Sequence, residues 1–220
     1  MRSFSQTEQY LNYVIIHSLD CPQNVGLLHG NMGIIILLAD LSRQNDLQSL
    51  QIVCSHLIKT IPKYAKTSIG IDFATGLSGI GWGLEYLVQH GLLRGPADDI
   101  LRETDTFIMT QNIDKKTDFS LETGLLGLWN YIMARIQGNL LAGLTLPFTT
   151  KYLYWWLQTI ESNIEKFPKN ASLRLSAALR GNLIVEELNA KPFINKSNAF
   201  DAKDLSLVNG VAGLLYLIRI

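Results

Sequence analysis

Four acidic side chains precede glycines in the chain and are the first candidates for chemistry. Asp118 and Asp204 each lie six residues before a glycine, in closely matching segments. Asp72 lies four residues before a glycine, and Glu122 lies two residues before one. If the chain forms a ring, these side chains meet at one end, where two carboxylates could hydrolyse a glycosidic bond as acid and base or nucleophile. The competing interpretation is that they cap backbone amides or lie near the positive ends of helices.

Cysteine and histidine side chains are the candidates for a metal site. Cys21 and His29 are close in sequence, as are Cys54 and His56. Cys54 lies on the apolar face of a predicted helix, where a free cysteine behaves as a small hydrophobic residue. His56, two positions later, points away from it. We therefore interpret His29 as a polar group near the ring opening without a metal, and a Cys21/His29 zinc site is the alternative.

These candidates are organised by a glycine signal that returns four times. Each copy is a polar residue, a glycine, two further residues, a second glycine and an aliphatic residue, and each opens an apolar segment. The glycine pairs are Gly30/Gly33, Gly76/Gly79, Gly124/Gly127 and Gly210/Gly213. The first glycines are separated by 46, 48 and 86 residues, so that one copy is expected to have lost its glycines near residues 167–175. A near-constant period of this size predicts a repeat architecture.

Each glycine signal predicts the beginning of a helix. The polar residue before the first glycine is predicted to cap that helix, and His29 is the poorest cap of the four residues His29, Thr75, Thr123 and Asn209. Two glycines three residues apart leave one helix face without Cβ atoms, so a neighbouring helix or a substrate can approach closely. The free amides of these first turns are natural partners for peptide carbonyls or carboxylates. Close helix packing alone is the other interpretation of the glycines.

The apolar periodicity predicts about five helical hairpins of roughly 44 residues and no strand. The glycine helix comes second in each hairpin. Because the glycine helices are apolar nearly all round, they are predicted to form an inner layer inside the other helices. The segments that matter below are a helix over 47–60 ended by Pro62, a glycine helix to about Ile136 capped by Gly138 and Asn139, a helix over 172–188, and a loop over 189–207.

The composition excludes several functions. Hydrophobic residues make up 47% and charged residues 17%, which indicates a large core rather than a disordered chain. Basic and acidic residues number 19 each, so no net charge attracts nucleic acid or an anionic membrane. Residues 1–8 lack the apolar stretch of a signal peptide, and no aliphatic run approaches the ~20 residues of a membrane helix. With two cysteines and no disulfide framework, we expect a cytoplasmic protein with reduced thiols.

The repeats resemble those of the lanthionine synthetase C-like family. The matching segments are residues 26–34 (Gly-Leu-Leu-His-Gly-Asn-Met-Gly-Ile), 76–83 (Gly-Leu-Ser-Gly-Ile-Gly-Trp-Gly) and 206–214 (Ser-Leu-Val-Asn-Gly-Val-Ala-Gly-Leu). One Gly-x-x-Gly is a weak signal, but four in a periodic frame are specific, and the resemblance covers nearly the whole chain. It implies an all-α fold, the α/α toroid of inner and outer helices. Since this chain is shorter than the family's full toroid, we expect one partial or small toroid domain over residues 1–220.

The resemblance also implies zinc-dependent peptide cyclisation as the family's best-known activity. A zinc ion held by two Cys and one His activates a peptide thiol, which adds to a dehydrated serine or threonine. One Cys and the His fall in a Cys-His-Gly motif, but Leu28-His29-Gly30 has leucine in place of that cysteine. Leucine cannot bind zinc, so we expect no zinc cofactor. The expected function is a peptide-binding accessory of lanthipeptide-type maturation, with the candidate contacts His29, Asp72, Asp118, Glu122 and Asp204.

Other functions stay open at this point. The chain could be a divergent lanthionine-forming cyclase, a carboxylate-based hydrolase on an α/α barrel, or a purely structural interaction module. The expected partner is a peptide or a modifying enzyme, and neither nucleic acid nor a membrane. A shortened ring would leave apolar inner surface bare, so we expect either a homodimer through the open edge or closure by the 189–207 segment.

Overall fold

The computed structural model describes residues 5–20, 24–65, 69–111, 116–182, 184–194, 201 and 203–219. Within these ranges the chain forms nine α-helices and two short 3-10 turns, with no β-strand. The helices are α1 (Gln6–Asp20), α2 (Asn31–Asn45), α3 (Gln48–Tyr64), α4 (Leu77–Gln89), α5 (Asp98–Thr110), α6 (Leu125–Leu141), α7 (Thr150–Ser162), α8 (Ala171–Leu179) and α9 (Val211–Arg219). The all-α prediction is therefore confirmed.

The helices form two layers. Helices α2, α4, α6 and α9 lie inside, and burial shows it: every residue from Asn31 to Ser42 of α2 and from Leu77 to Leu87 of α4 is buried. The outer helices α1, α3, α5 and α7 each bury only a narrow stripe, as Leu153, Trp156 and Ile160 do in α7. Helix α2 packs between α9 and α4, and α4 packs against α6. A helix that is apolar nearly all round must be buried, so the chain folds as a two-layered arc, a partial α/α toroid.

The repeat count differs from the predicted five hairpins. Outer and inner helices alternate through α8 as four pairs, and α9 follows with no outer helix of its own among the described residues. Helix α8 occupies the place of the copy that lacks glycines. Its N-cap is Asn170 where the other copies have a glycine, and Leu173, 59% exposed, stands where they have the second glycine. The Ala171 amide donates to Pro168 O, so the loop before α8 does not fold as the other loops do.

Three predicted helix boundaries are wrong. Pro62 lies within the last turn of α3 instead of ending it, and the helix continues for two residues to Tyr64. Pro62 removes one i→i−4 hydrogen bond, and the helix ends within one turn of it. Gly138 and Asn139 lie inside α6, which continues to Leu141, rather than capping it. The glycine is required for packing instead, because a Cβ at Gly138 would collide with the Glu85 carboxylate. The helix predicted over 172–188 ends at Leu179, and Gly181 then adopts a left-handed φ of 76°, which favours glycine and stops the helix.

A segment over residues 184–194, which has no regular structure before the 3-10 turn Lys191–Phe193, lies against the inner helices, and we call it the strap. Its Phe193 ring packs on Phe73 and Trp82, with ring centroids 5.2 and 4.9 Å apart. Ile194 is buried and is the neighbour that a Cβ at Gly213 of α9 would meet. Because a side chain of an adjacent glycine-bearing repeat fills this place at Gly33 (Leu207), Gly79 (Leu27) and Gly127 (Phe73), Ile194 replaces the residue that the missing copy would supply. The described part of the predicted 189–207 segment therefore packs on the inner helices, residues 195–200 and 202 lie outside the described residues, and closure of the ring by this segment stays a prediction.

No helix within the described ranges combines the length and the apolar character needed to cross a lipid bilayer.

Candidate functional site

The segments before α2, α4, α6 and α9 share one backbone frame, and we call them the glycine loops: residues 24–30, 70–76, 118–124 and 204–210. In each loop the first amide of the helix donates to the carbonyl oxygen that opens the loop. The four hydrogen bonds are Asn31 N to Asn24 O (2.8 Å), Leu77 N to Gly70 O (2.9 Å), Leu125 N to Asp118 O (2.9 Å) and Val211 N to Asp204 O (2.8 Å). Helix amides that we expected to be free for a peptide are thus bonded to the chain's own loops.

This frame explains the glycines. A Cβ on the first glycine of each pair would come within 3.0 Å of main-chain atoms four and six residues earlier, and a Cβ on the second would collide with the carbonyl six residues earlier. Three second glycines also face a side chain of the neighbouring repeat, as Gly79 faces Leu27. Gly76 itself is the N-cap of α4, in an extended conformation and without a side-chain cap. The predicted capping by Thr75 is therefore wrong, and close packing of the loops accounts for the glycines.

The aspartates of the glycine loops bond within their own loops. Asp118 accepts hydrogen bonds from Ser120 N (2.7 Å) and from the hydroxyls of Ser120 (2.9 Å) and Thr123 (2.6 Å). Asp204 accepts in the same way from Ser206 N (2.7 Å) and Oγ (2.8 Å), and Asp72 accepts from Thr75 N at 2.7 Å. The Thr123 hydroxyl and the Ser120 donors hold the pKa of Asp118 below its usual range. An ionised, internally bonded carboxylate cannot serve as the proton donor that glycoside hydrolysis needs.

Main-chain hydrogen bonds join neighbouring glycine loops into a continuous series. Leu207 N donates to Leu28 O (3.1 Å), and Leu28 N donates to Ala74 O (2.9 Å). Phe73 N and Ala74 N both donate to Glu122 O, at 2.8 and 3.0 Å. The loops before α9, α2, α4 and α6 therefore lie side by side in that order and hold one another in register.

Two of the five predicted site residues come together on this surface. His29 Nε2 lies 4.0 Å from Glu122 Oε2, and the two side chains are 34% and 55% exposed. Since they belong to the loops before α2 and α6, they meet across the loop before α4. The pair offers an incoming ligand one imidazole and one carboxylate, both open to solvent.

Leu28 occupies the position that a zinc-binding cysteine has in the Cys-His-Gly motif. The Leu28 side chain is 1% exposed and belongs to the hydrophobic core. No group of three His, Cys, Asp or Glu side chains suited to a metal is present among the described residues. Cys54 is buried, and burial raises the pKa of its thiol to about 12, so it stays protonated. These residues do not fit a zinc ion; Cys21, the other thiol, lies outside the described residues.

Comparison with protein families gives one result that covers most of the chain. The model of the lanthionine synthetase C-like proteins matches residues 21–218. The chain belongs to the lanthionine synthetase C-like family. Comparison with curated proteins and with solved structures gave no match. In this lanthionine synthetase C-like chain, the matched residues include the four glycine loops and the inner helices α2, α4 and α6.

A buried ionic cluster in this family member was missed by sequence reasoning. Arg135 of α6 is fully buried and contacts Glu85 Oε1 (2.7 Å), Asp105 Oδ2 (2.6 Å) and Asp98 Oδ1 (3.1 Å). Burial raises the pKa values of Glu85 and Asp105, although Arg135 donates to both. The cluster joins α4, α5 and α6. The sequence does show a charged residue inside an apolar inner helix, which could have indicated a buried ion pair. Its partners could not be identified, because they lie 30 to 50 residues away along the chain.

A second buried polar group joins three inner helices. Asp40 of α2 is 1% exposed, and its Oδ2 accepts from the hydroxyls of Tyr86 (2.7 Å) and Tyr216 (3.0 Å). Its Oδ1 has no hydrogen bond and lies 4.0 Å from an Arg43 nitrogen. Both tyrosine pKa values are raised, first by burial and also by the adjacent Asp40 carboxylate, so the hydroxyls remain donors. These hydrogen bonds join α2, α4 and α9 to one another.

Proposed function

We propose that this lanthionine synthetase C-like protein binds a peptide during lanthipeptide-type maturation without using zinc. The observation that supports the proposal is the pairing of His29 with Glu122 at the glycine loops, beside a buried Leu28 in the position of the zinc-binding cysteine. Contacts to the peptide are made by side chains, because the first amides of the inner helices are already bonded to the loops. Asp72, Asp118 and Asp204 support the surface by shaping its loops.

The remaining features of the proposal follow from the family. The partner is the peptide itself or a peptide-modifying enzyme, and residues 1–220 act as one domain in the cytoplasm. A homodimer through the open edge beside α6 stays a prediction, since the strap covers only part of the inner surface.

Binding to a synthetic peptide tests the proposal. The probe is a fluorescein-labelled peptide with one dehydroalanine and one cysteine, and its affinity is measured by fluorescence anisotropy. Changing His29→Gln and Glu122→Gln together is expected to weaken binding about tenfold, or about 1.4 kcal/mol, with an unchanged melting temperature. The matched control makes the same changes on the outer helices, His17→Gln and Glu103→Gln, and is expected to bind like the wild type. Equal affinities for the wild type, the His29/Glu122 variant and the His17/Glu103 control would show that the peptide does not bind at the glycine loops.

A metal-free cyclase is the second candidate, and the His29–Glu122 pair is the observation that favours it. A histidine oriented by a carboxylate can act as a general base. His29 would take the proton of the peptide thiol, the sulfur would bond to the alkene Cβ of dehydroalanine, and the proton would return to Cα. Because this addition leaves the peptide mass unchanged, the loss of the free thiol is followed by alkylation and mass spectrometry. Thiol loss that requires His29 would establish catalysis, and thiol retention would leave peptide binding alone.

A further inference from the structure

The strap is bound through its main chain by a side chain of the inner layer. Gln137 Nε2 donates to Glu186 O (2.8 Å), and Glu186 N donates back to Gln137 Oε1 (2.9 Å). Gln137 is 2% exposed, and its amide is oriented by Gln89, whose Oε1 accepts from it at 2.8 Å. Gln89 is in turn held by Glu85 Oε2 at 3.0 Å. A buried amide that bonds both main-chain groups of one residue recognises extended peptide independently of its side chain.

The Glu186 side chain is recognised by α8, the helix of the degenerate repeat. Arg174 donates to Glu186 Oε2 (2.7 Å), and Asn170 donates to Glu186 Oε1 (2.5 Å). The Arg174 side chain is only 10% exposed, and its Nε is buried without a hydrogen-bond partner. An arginine can bind a carboxylate through two parallel hydrogen bonds. Glu186 therefore leaves one buried nitrogen of this arginine without a hydrogen bond, and a buried donor without a partner is destabilising.

Seven residues later the strap inserts an aromatic side chain. Phe193 packs edge-on against both Phe73 and Trp82, and Phe73 belongs to the glycine loop before α4. Between the two anchors the strap is exposed at Glu187 and Asn189, and Glu187 is 86% exposed. The strap thus runs from the end of α6 to the glycine loops and makes three kinds of specific contact: main chain, acid and aromatic ring.

We propose that the surface beneath the strap is a binding site for a peptide that carries an acidic residue and, seven residues later, an aromatic residue that follows a turn. The strap is the intramolecular occupant of this site. The inference rests on the proposed peptide-binding function and extends it, because the strap ends at the loop before α4, which lies between the loops that carry His29 and Glu122. Ile194 is the strap's structural anchor and stays in place when an incoming peptide displaces residues 184–193.

Competition between the strap and a free peptide follows from the connectivity. A tethered segment competes at an effective concentration in the millimolar range. Wild-type protein should therefore bind a free peptide of the same sequence weakly, and weakening the strap's own anchors should expose the site.

The experiment uses a fluorescein-labelled peptide with the sequence of residues 184–194 and the full-length protein. The variant Glu186→Gln/Phe193→Ala releases the strap and is expected to bind the peptide at least about tenfold more tightly than the wild type. Adding Gln137→Leu or Arg174→Met to that variant is expected to abolish the gain. Glu187→Gln is a matched change of the adjacent acid, which is 86% exposed and whose Oε1 lies 3.7 Å from His90 Nε2. Because exposed pairs of this kind contribute little, this variant should bind like the wild type.

Two outcomes would overturn the inference. The released variant could bind no more tightly than the wild type while it melts cooperatively, which makes the strap a fixed cover. Its tighter binding could also persist without Gln137 and Arg174, which places the peptide elsewhere. If the double variant does not fold, Glu186→Gln alone is compared with Glu187→Gln in the same assay. The dehydroalanine-peptide test at His29 and Glu122 leaves the strap intact, so failure here is distinguishable from failure of the proposed function.

Discussion

Replacing Arg135 by methionine would leave two buried carboxylates without their counter-charge. Arg135 contacts Glu85 and Asp105 at 2.7 and 2.6 Å, and all three side chains are at most 2% exposed. Methionine replaces the aliphatic part of the arginine side chain and carries no charge. Breaking a buried ion pair by removing one partner costs about 3–5 kcal/mol. Against a total stability of about 5–15 kcal/mol, Arg135→Met is expected to remove about a fifth or more of the free energy of unfolding at neutral pH.

The effect should depend on pH in a defined direction. Burial raises the pKa values of Glu85 and Asp105 in the folded protein. A raised carboxyl pKa means that the native state binds more protons than the unfolded state, so these two groups favour folding increasingly as the pH falls through the folded pKa. Without Arg135 those pKa values rise further, and each additional unit is worth about 1.4 kcal/mol. The destabilisation by Arg135→Met is therefore expected to shrink on acidification.

Urea unfolding followed by circular dichroism measures this effect at about pH 7.5 and about pH 5.5, above the titration of ordinary carboxylates. Arg102→Met is the matched control, since Arg102 pairs with Asp98 at 2.7 Å but is 73% exposed. The urea midpoint of this variant should match that of the wild type at both pH values. The triple variant Arg135→Met/Glu85→Leu/Asp105→Leu should recover most of the stability, because well-packed apolar residues can replace a buried ionic group. A loss for Arg135→Met that is small, or that grows on acidification, would refute this reasoning.

Two further predictions concern the glycine frame and the metal. Gly79→Ala places a Cβ against Phe73 O and Leu27, and it is expected to destabilise the protein by about 1–3 kcal/mol in the same urea assay; an unchanged midpoint would show that the loop yields freely. Purified protein is expected to carry no stoichiometric zinc, because Leu28 occupies the position of the ligating cysteine; one zinc per chain by elemental analysis, lost in Cys21→Ala, would contradict this.

The sequence was most informative where the structure depends on contacts close in the chain. The inner helices begin directly after Gly30, Gly76, Gly124 and Gly210, since each glycine is required by a loop only a few residues earlier. The all-α fold and the inner layer were predictable for the same reason, because apolar periodicity is local.

What depends on distant partners was not predictable. The need for a glycine at position 138, inside α6, comes from the Glu85 carboxylate of another helix, which a Cβ there would meet. The role of Gln137 depends on a strap 49 residues later. His29 and Glu122 were both candidates, but their proximity depends on how the glycine loops line up. Asp118 and Asp204 look like catalytic carboxylates in the sequence, and only the folded loops show that their oxygens are already bonded.

The series of hydrogen bonds between the glycine loops ties the candidate site to the curvature of the arc. His29 and Glu122 sit on loops separated by the loop before α4, so their spacing spans two junctions between repeats, each held by main-chain bonds of 2.8 to 3.0 Å. Bending the arc more tightly would draw the imidazole and the carboxylate together, and flattening it would part them. Their 4.0 Å separation thus reports the bend of the inner layer, and a ligand that bridges the pair would stiffen the arc at a distance from the open edge.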